Sequence, residues 1–212
     1  MKKKTISILG DSVSTYEGYT PEGFVFFGPW NAWYTGVASV EDTWWMKVIR
    51  ALGGELGSNN SLSGSLVSGR SRTSATSPDR IADLCTHGKP DIILVAMGAN
   101  DWGFGFLPEE FEGEYRRMLH LLKTAYPDSC IWCSTLPEGK VVKEEDQFFF
   151  DVDARVSKRV YSDIIKRVAG ESEVLVADLY GCGKEYSSLD GVHPDREGMT
   201  DLANMWIDCM CK

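Results

Sequence analysis

The sequence predicts a three-layer α/β protein: a parallel sheet of about five strands with helices on both faces. Three observations predict it. Short apolar runs alternate with amphipathic segments along the 212 residues. The best run, Ile92 to Met97, is continuously apolar, as in strands buried on both faces. No internal repeat or low-complexity tract interrupts the alternation, so right-handed crossovers between parallel strands are expected.

Each element has its own signal. Ile6, Ile8 and Leu9, bounded by Lys2 to Lys4, mark a strand over Thr5 to Leu9. Gly10 is expected to let the chain turn sharply, which leaves Ser12 at the carboxyl end of that strand. Open α/β sheets bind ligands at that edge. Tyr16 to Asp42 is a long segment without sustained periodicity, rich in rings that include Phe24, Phe26, Phe27, Trp30 and Trp33. It is either a lid or binding loop or a satellite cluster of packed rings, and both readings stay open. Asp42 or Thr43 caps a helix through Leu52, with Trp44, Trp45, Val48 and Leu52 on one stripe. Glu55 to Leu56 is a weak second strand, followed by a Ser, Gly and Asn-rich loop over Asn59 to Gly69.

Ile81 and Leu84 mark a short helix after Pro78 that ends at Gly88. The Ile92 strand stops at Gly98-Ala-Asn100-Asp101. Pro108 to Ala125 is a helix with Phe111, Tyr115, Met118 and Leu122 inward and His120 on the polar face. Ser129 to Ser134 is a strand and Pro137 to Phe150 a second long loop. Asp151 to Ala169 is helical, with Val152, Val156, Val160 and Ile164 recurring every four residues. Glu173 to Ala177 is the last strand. After a glycine-rich connection and Asp190-Gly-Val-His193-Pro194, the final helix carries Met199, Leu202, Ala203, Trp206 and Met210.

Composition narrows the function classes. With 43% hydrophobic residues, the chain is long enough to bury one sizeable core, so one domain over 1–212 is expected, with 16–42 as an aromatic-rich insertion. A net charge of −9 argues against nucleic acid and anionic membrane as partners, and mildly against polyanionic substrates. The apolar stretch after the first lysines ends at Leu9, too short for an export signal. The run from Ile92 to Ala99 is too short to span a bilayer. A cytoplasmic protein is expected. Its six cysteines are then reduced thiols that serve as small buried hydrophobes, without metal. The Cys130/Cys133 pair has redox or zinc spacing, but it falls inside an apolar run and no second pair accompanies it.

The topology tests the chemistry. A serine nucleophile needs a base, and only His87, His120 and His193 exist. His87 precedes the Ile92 strand, at the opposite sheet edge from Ser12, and His120 faces solvent. His193 follows the last strand, on the edge of Ser12. Asp190, three residues earlier across a glycine turn, is near enough to hold one ring nitrogen while the other faces Ser12. It is otherwise a turn or helix cap. Backbone N–H groups at Ser12 and Gly64 and the Asn100 amide are candidate donors to an oxyanion. Taken singly, Gly64 and Asn100 are equally well read as turn formers.

Gly10-Asp-Ser12, Asn59 leading to Ser63-Gly64, Gly98-Ala-Asn100-Asp101 and Asp190-Gly-Val-His193-Pro together resemble the four signature blocks of the SGNH (GDSL-type) hydrolases, in the same order and across essentially the whole chain. The resemblance implies a flavodoxin-like sheet of order 2-1-3-4-5 and serine esterase activity. It implies Ser12 as nucleophile, Asp190 and His193 completing a triad, Gly64 and Asn100 as oxyanion donors, and neither metal nor cofactor. Val13 stands where leucine is common in such blocks, and the segment 16–42 belongs to none of them. The expected partner is a small-molecule ester, with a short-chain ester favoured and a carbohydrate O-acetyl group as its candidate form. Trp30, Trp33 and Trp102 suit stacking on a sugar or enclosing a short acyl chain. An acyltransferase using the same residues and a catalytically silent carbohydrate-binding module are the alternatives. The sequence leaves the oligomeric state open.

Overall fold

A computed structural model describes residues 3–141 and 156–211. Its main sheet has five parallel strands: β1 (Thr5–Gly10), β2 (Glu55–Ser61), β3 (Ile92–Ala96), β4 (Cys130–Ser134) and β6 (Leu175–Ala177), in the order β2-β1-β3-β4-β6. Counted within this sheet, the order is 2-1-3-4-5. A parallel two-stranded sheet, β5 (Glu138–Val141) with β7 (Glu185–Ser188), adjoins it. The helices are α1 (Ala32–Thr35), α2 (Trp44–Ala51), α3 (Pro78–Asp83), α4 (Ala99–Gly103), α5 (Pro108–Ala125), α6 (Lys158–Glu171) and α7 (Arg196–Met210).

The side-chain alternation of the strands builds two cores. Ile6 and Ile8 of β1 and Ile92 and Leu94 of β3 face one side, under α2 and α7. Leu9, Ile93 and Val95 face the other, under α5 and α6. Trp44 and Trp206 join α2 to α7 as stacked rings 5.2 Å apart. Such a pair adds about 0.5–1.5 kcal/mol to the area it buries. No helix among the described residues is long and apolar enough to cross a membrane.

Several expectations need correction. β2 continues through Ser61, so Asn59 to Ser61 are strand and not loop. These polar residues stay in the strand because side-chain partners satisfy them: Asn59 Nδ2 donates to the Ser14 carbonyl and Arg80 Nε to Asn60 Oδ1. The expected loop from Pro137 contains β5, and the expected glycine-rich connection contains β7. Residues 142–150 of that loop lie outside the described residues, as does Val152. Within α6 the buried stripe is Tyr161, Ile164, Ile165, Val168 and Ala169, whereas Val156 lies before the helix and Val160 faces outward, both exposed. A strict four-residue repeat drifts about 40° per step around a helix, so it cannot stay on one face. Gly10 does not have a positive φ. Its lack of a side chain is needed for space, since a Cβ there would sit 2.6 Å from Ser61 Oγ and 2.7 Å from Ser14.

Candidate active site

Ser12 opens a short 3₁₀ turn, Ser12–Ser14, directly after β1, with Asp11 capping it through the Val13 N–H at 3.1 Å. The first N–H groups of such a turn, that of Ser12 among them, find no partner inside it. The turn is pinned from several directions. Asn59 Nδ2 donates to the Ser14 carbonyl at 2.9 Å and Trp44 Nε1 to Ser14 Oγ at 3.2 Å. The Thr15 hydroxyl donates to the Ser12 carbonyl at 2.9 Å.

The histidine arrives on a compact loop after β7. Leu189 N–H donates to the His193 carbonyl at 2.8 Å, and Ser188 pairs with Pro194 as an antiparallel bridge. Gly191 supplies the positive φ (89°) that the turn needs. Asp190 has two tasks. Its Oδ1 accepts from the Val192 and His193 N–H groups at 2.9 and 2.7 Å, and its Oδ2 meets His193 Nδ1 at 2.6 Å. The other ring nitrogen, Nε2, lies 2.9 Å from Ser12 Oγ. Burial works to raise the Asp190 carboxyl, but the His193 ring and the two N–H groups together hold it below its ordinary value. Carboxylate, imidazole and hydroxyl therefore form one continuous hydrogen-bonded line. Such a line can move a proton off the hydroxyl and stabilise the resulting imidazolium.

The donor side is built on a turn closed by Ser65 N–H to the Leu62 carbonyl at 3.1 Å. Gly64 sits at its third position with φ 76°, a conformation that favours glycine. Asn100 follows β3, where Gly98 (φ 118°) opens α4. One Asn100 amide hydrogen goes to the Ser65 carbonyl at 2.8 Å, which fixes the side chain against that turn and leaves its second N–H to donate elsewhere. Asp101, fully buried, accepts from the Val67 and Ser68 N–H groups at 2.9 and 2.7 Å and ties the following loop to α4.

The sequence profile of the GDSL-like lipase/acylhydrolases matches residues 4–210. The chain belongs to that family, and so to the ester-splitting hydrolases. It is 25% identical over 123 residues to a multidomain esterase of Ruminococcus flavefaciens; the match takes in 56% of this chain and 15% of that much longer relative. Two crystal structures share its fold over nearly their whole lengths. A candidate GDSL-like lipase from Bacteroides ovatus superposes with TM-score 0.71 at 23% identity, covering 100% of this chain and 99% of the other. A carbohydrate acetylesterase from Sinorhizobium meliloti gives TM-score 0.70 at 18% identity, covering 99% of each.

This GDSL-like chain carries features that spacing alone does not disclose. The Arg80 guanidinium is 3% exposed, and no carboxylate among the described residues lies within ion-pair distance of it. It donates to the Gly10 carbonyl (3.0 Å), the Asn60 carbonyl (2.6 Å), Asn60 Oδ1 (2.7 Å), the Thr73 carbonyl (2.9 Å) and Ser65 Oγ. One buried cation thus clamps the ends of β1 and β2 to the Gly64 turn. Burial lowers its pKa to about 10, so it stays charged at neutral pH. Asp11 is also buried, and burial raises its carboxyl to about 6. It borders a cavity of about 60 Å³ whose walls include Val13, Met97, Leu136, Lys158 and Val192 but neither Ser12 nor His193. Asp11 was visible as a carboxylate closing an apolar strand; nothing in the spacing marks Arg80. Phe26 was one ring among many in 16–42, yet it stacks on His193.

The expected aromatic platforms divide. Trp30 and Trp33 are open to solvent, 58% and 86% exposed, and Trp33 borders a shallow groove with Leu189 and Arg196 beside the histidine loop. Trp102 is not such a platform. It is 7% exposed, donates its indole N–H to the Val156 carbonyl, and has the Lys158 ammonium 4.6 Å over its ring. His87 and His120 are both exposed and away from the line of bonds. No disulfide joins the six cysteines, and only Cys133 is buried, its thiol pushed up to about 12 by that burial. Cys85, Cys130, Cys182 and Cys211 are exposed, so the expectation of six buried thiols holds for one. Cys130 and Cys133 stand three apart on one strand and so point to opposite faces. Among the described residues no cluster of three or more His, Cys, Asp or Glu is placed to hold a metal ion.

Proposed function

We propose that the chain is a serine esterase that cleaves a short-chain carboxylic ester, with a carbohydrate O-acetyl group as the favoured substrate. The observation that carries the reading is the unbroken Asp190–His193–Ser12 line, 2.6 and 2.9 Å long, at the carboxyl edge of the sheet. His193 takes the Ser12 proton as Ser12 Oγ bonds to the ester carbonyl carbon. The Ser12 and Gly64 N–H groups and the free Asn100 amide hydrogen receive the developing oxyanion. His193 then passes its proton to the leaving alcohol. Water, deprotonated by the same imidazole, releases the acid and restores Ser12.

Two observations support the finer reading. Trp30 and Trp33 present open rings for a sugar face. A protein of the same fold is a carbohydrate acetylesterase. Exposed, unpaired thiols favour a reducing compartment such as the cytoplasm. The two cores share one sheet, which favours one domain.

A fluorophosphonate probe should label the wild-type chain and not Ser12→Ala. On p-nitrophenyl esters from acetate to laurate, kcat/KM should fall with chain length. Labelling of Ser12→Ala would overturn the nucleophile, and a preference for laurate would overturn the short-chain reading.

A further inference from the structure

Phe26 comes from the segment that no signature block contains, and it touches the centre of the site. Its ring centroid lies 3.9 Å from that of His193, with 7° between the planes. Its neighbour Phe27 is fully buried and meets it edge-on at 4.8 Å and 68°. Phe27 therefore packs the segment down while Phe26 is left to face the imidazole. The backbone holds the ring in place. The Phe26 N–H donates to Thr15 Oγ1 at 2.9 Å, and the same hydroxyl donates to the Ser12 carbonyl. Asn31 Nδ2 donates to the Phe26 carbonyl at 2.6 Å, and the Ser63 N–H donates to the Phe24 carbonyl at 2.8 Å. The strip from Phe24 to Phe27 is thus bonded on one side to the Ser12 turn and on the other to the Gly64 turn.

We propose that Phe26 is a positioning residue for His193: its face fixes the plane of the imidazole and favours the ring's charged form during acyl transfer. This rests on the reading of Ser12 and His193 as nucleophile and base. Two in-plane hydrogen bonds, to Asp190 and Ser12, fix the imidazole along its Nδ1–Nε2 line and leave it free to roll about that line. A ring against its face stops the roll. Two neutral aromatic rings prefer offset or edge-on contact with centroids about 4.5–7 Å apart, because their quadrupoles repel face to face. The near-parallel approach here is closer than that and suits a cation over a π face. The imidazolium formed in both halves of the reaction is such a cation.

The test uses the purified full chain with p-nitrophenyl acetate. Phe26→Leu should lower kcat about 5- to 30-fold, the range expected for a partly desolvated cation–π contact. KM should stay within about twofold, as for an interaction that strengthens only in the transition state. Phe26→Tyr, which keeps the ring, should stay within about twofold of wild type. In proton NMR the His193 Cε1 proton, shielded by the ring above it, should move downfield in Phe26→Leu and not in Phe26→Tyr. Phe26→Met, which fills the space without a ring, is the second variant should Phe26→Leu fail to fold, and the same outcomes decide. An unchanged kcat, a change in KM alone, or Phe26→Tyr as slow as Phe26→Leu would overturn the proposal. Ser12→Ala is the control: a silent Phe26→Leu beside a dead Ser12→Ala overturns the stack alone. Hydrolysis by Ser12→Ala overturns the reading beneath it.

Discussion

Ser12 and His193 stand on either side of a single hydrogen bond, yet the protein holds them by different means. The serine turn is pinned from far along the chain: Trp44 reaches it across 30 residues, Asn59 across 45, and Arg80 holds the Gly10 carbonyl across 70. The histidine loop is closed by its near neighbours. Asp190 bonds two and three residues ahead, Ser188 Oγ accepts from Gly191 three residues on, and Tyr186 reaches the Val192 carbonyl across six. One half is therefore a product of the whole fold; the other closes its backbone locally and takes only a ring contact, Phe26 on His193, from far along the chain. The difference teaches where damage should spread. Loosening the sheet or α3 disturbs Ser12 and the Gly64 turn first, whereas the Asp190–His193 pair is preorganised by its own short turn.

The largest test asks whether the two halves still act as one device. Ser12→Ala and His193→Ala should each lower kcat by roughly 10⁴ or more, and the double variant should be little worse than either. Additive losses would show that the halves work independently. Next, Arg80→Met should cost about 3–4 kcal/mol in urea unfolding, because it leaves the Gly10, Asn60 and Thr73 carbonyls without their buried donor. Arg80→Lys should recover only part of this, since an ammonium cannot reproduce the forked geometry. A loss below about 1 kcal/mol for Arg80→Met would mean the serine half is not held as described.

A pH test separates the halves in another way. Burial raises Asp11 from 3.8 to about 6, so the folded chain keeps a proton there that the unfolded chain has given up. That stabilisation is complete below pH 3.8 and is lost as pH rises through about 6, a change of about 3 kcal/mol. Asp11→Asn should not lose it, so its stability relative to wild type should grow by about that amount between pH 4 and pH 7. A difference that stays flat would mean Asp11 is not buried as a lone carboxyl. The smallest effect belongs to the histidine half. Tyr186→Phe removes a buried 2.6 Å bond to the Val192 carbonyl and should cost about 1–2 kcal/mol of stability. Because Asp190 holds the loop independently, kcat should fall less than threefold, roughly 0.6 kcal/mol or under.

The sequence by itself determined the sheet and the contacts that are close along the chain. Apolar alternation in β1 and β3 and the stripe of α5 are local patterns, and that of β1 places Ser12 at the carboxyl edge. The Asp190-Gly-Val-His193 turn is legible for the same reason, since three residues and a glycine bring the carboxylate within reach of the imidazole. Only the tertiary structure decided what pairs across the sheet. β7 and the end of β2 are polar strands whose bonds are satisfied by distant partners, so no periodicity announces them. Trp102 and Trp33 look alike as residues, but a lysine from α6 covers one while the other meets solvent. Arg80 and Phe26 owe their places to contacts across 70 and 167 positions, Phe26 to His193 being the longer. Local propensity acts over a few residues, whereas a buried donor or a stacked ring is placed by the packing of the entire sheet.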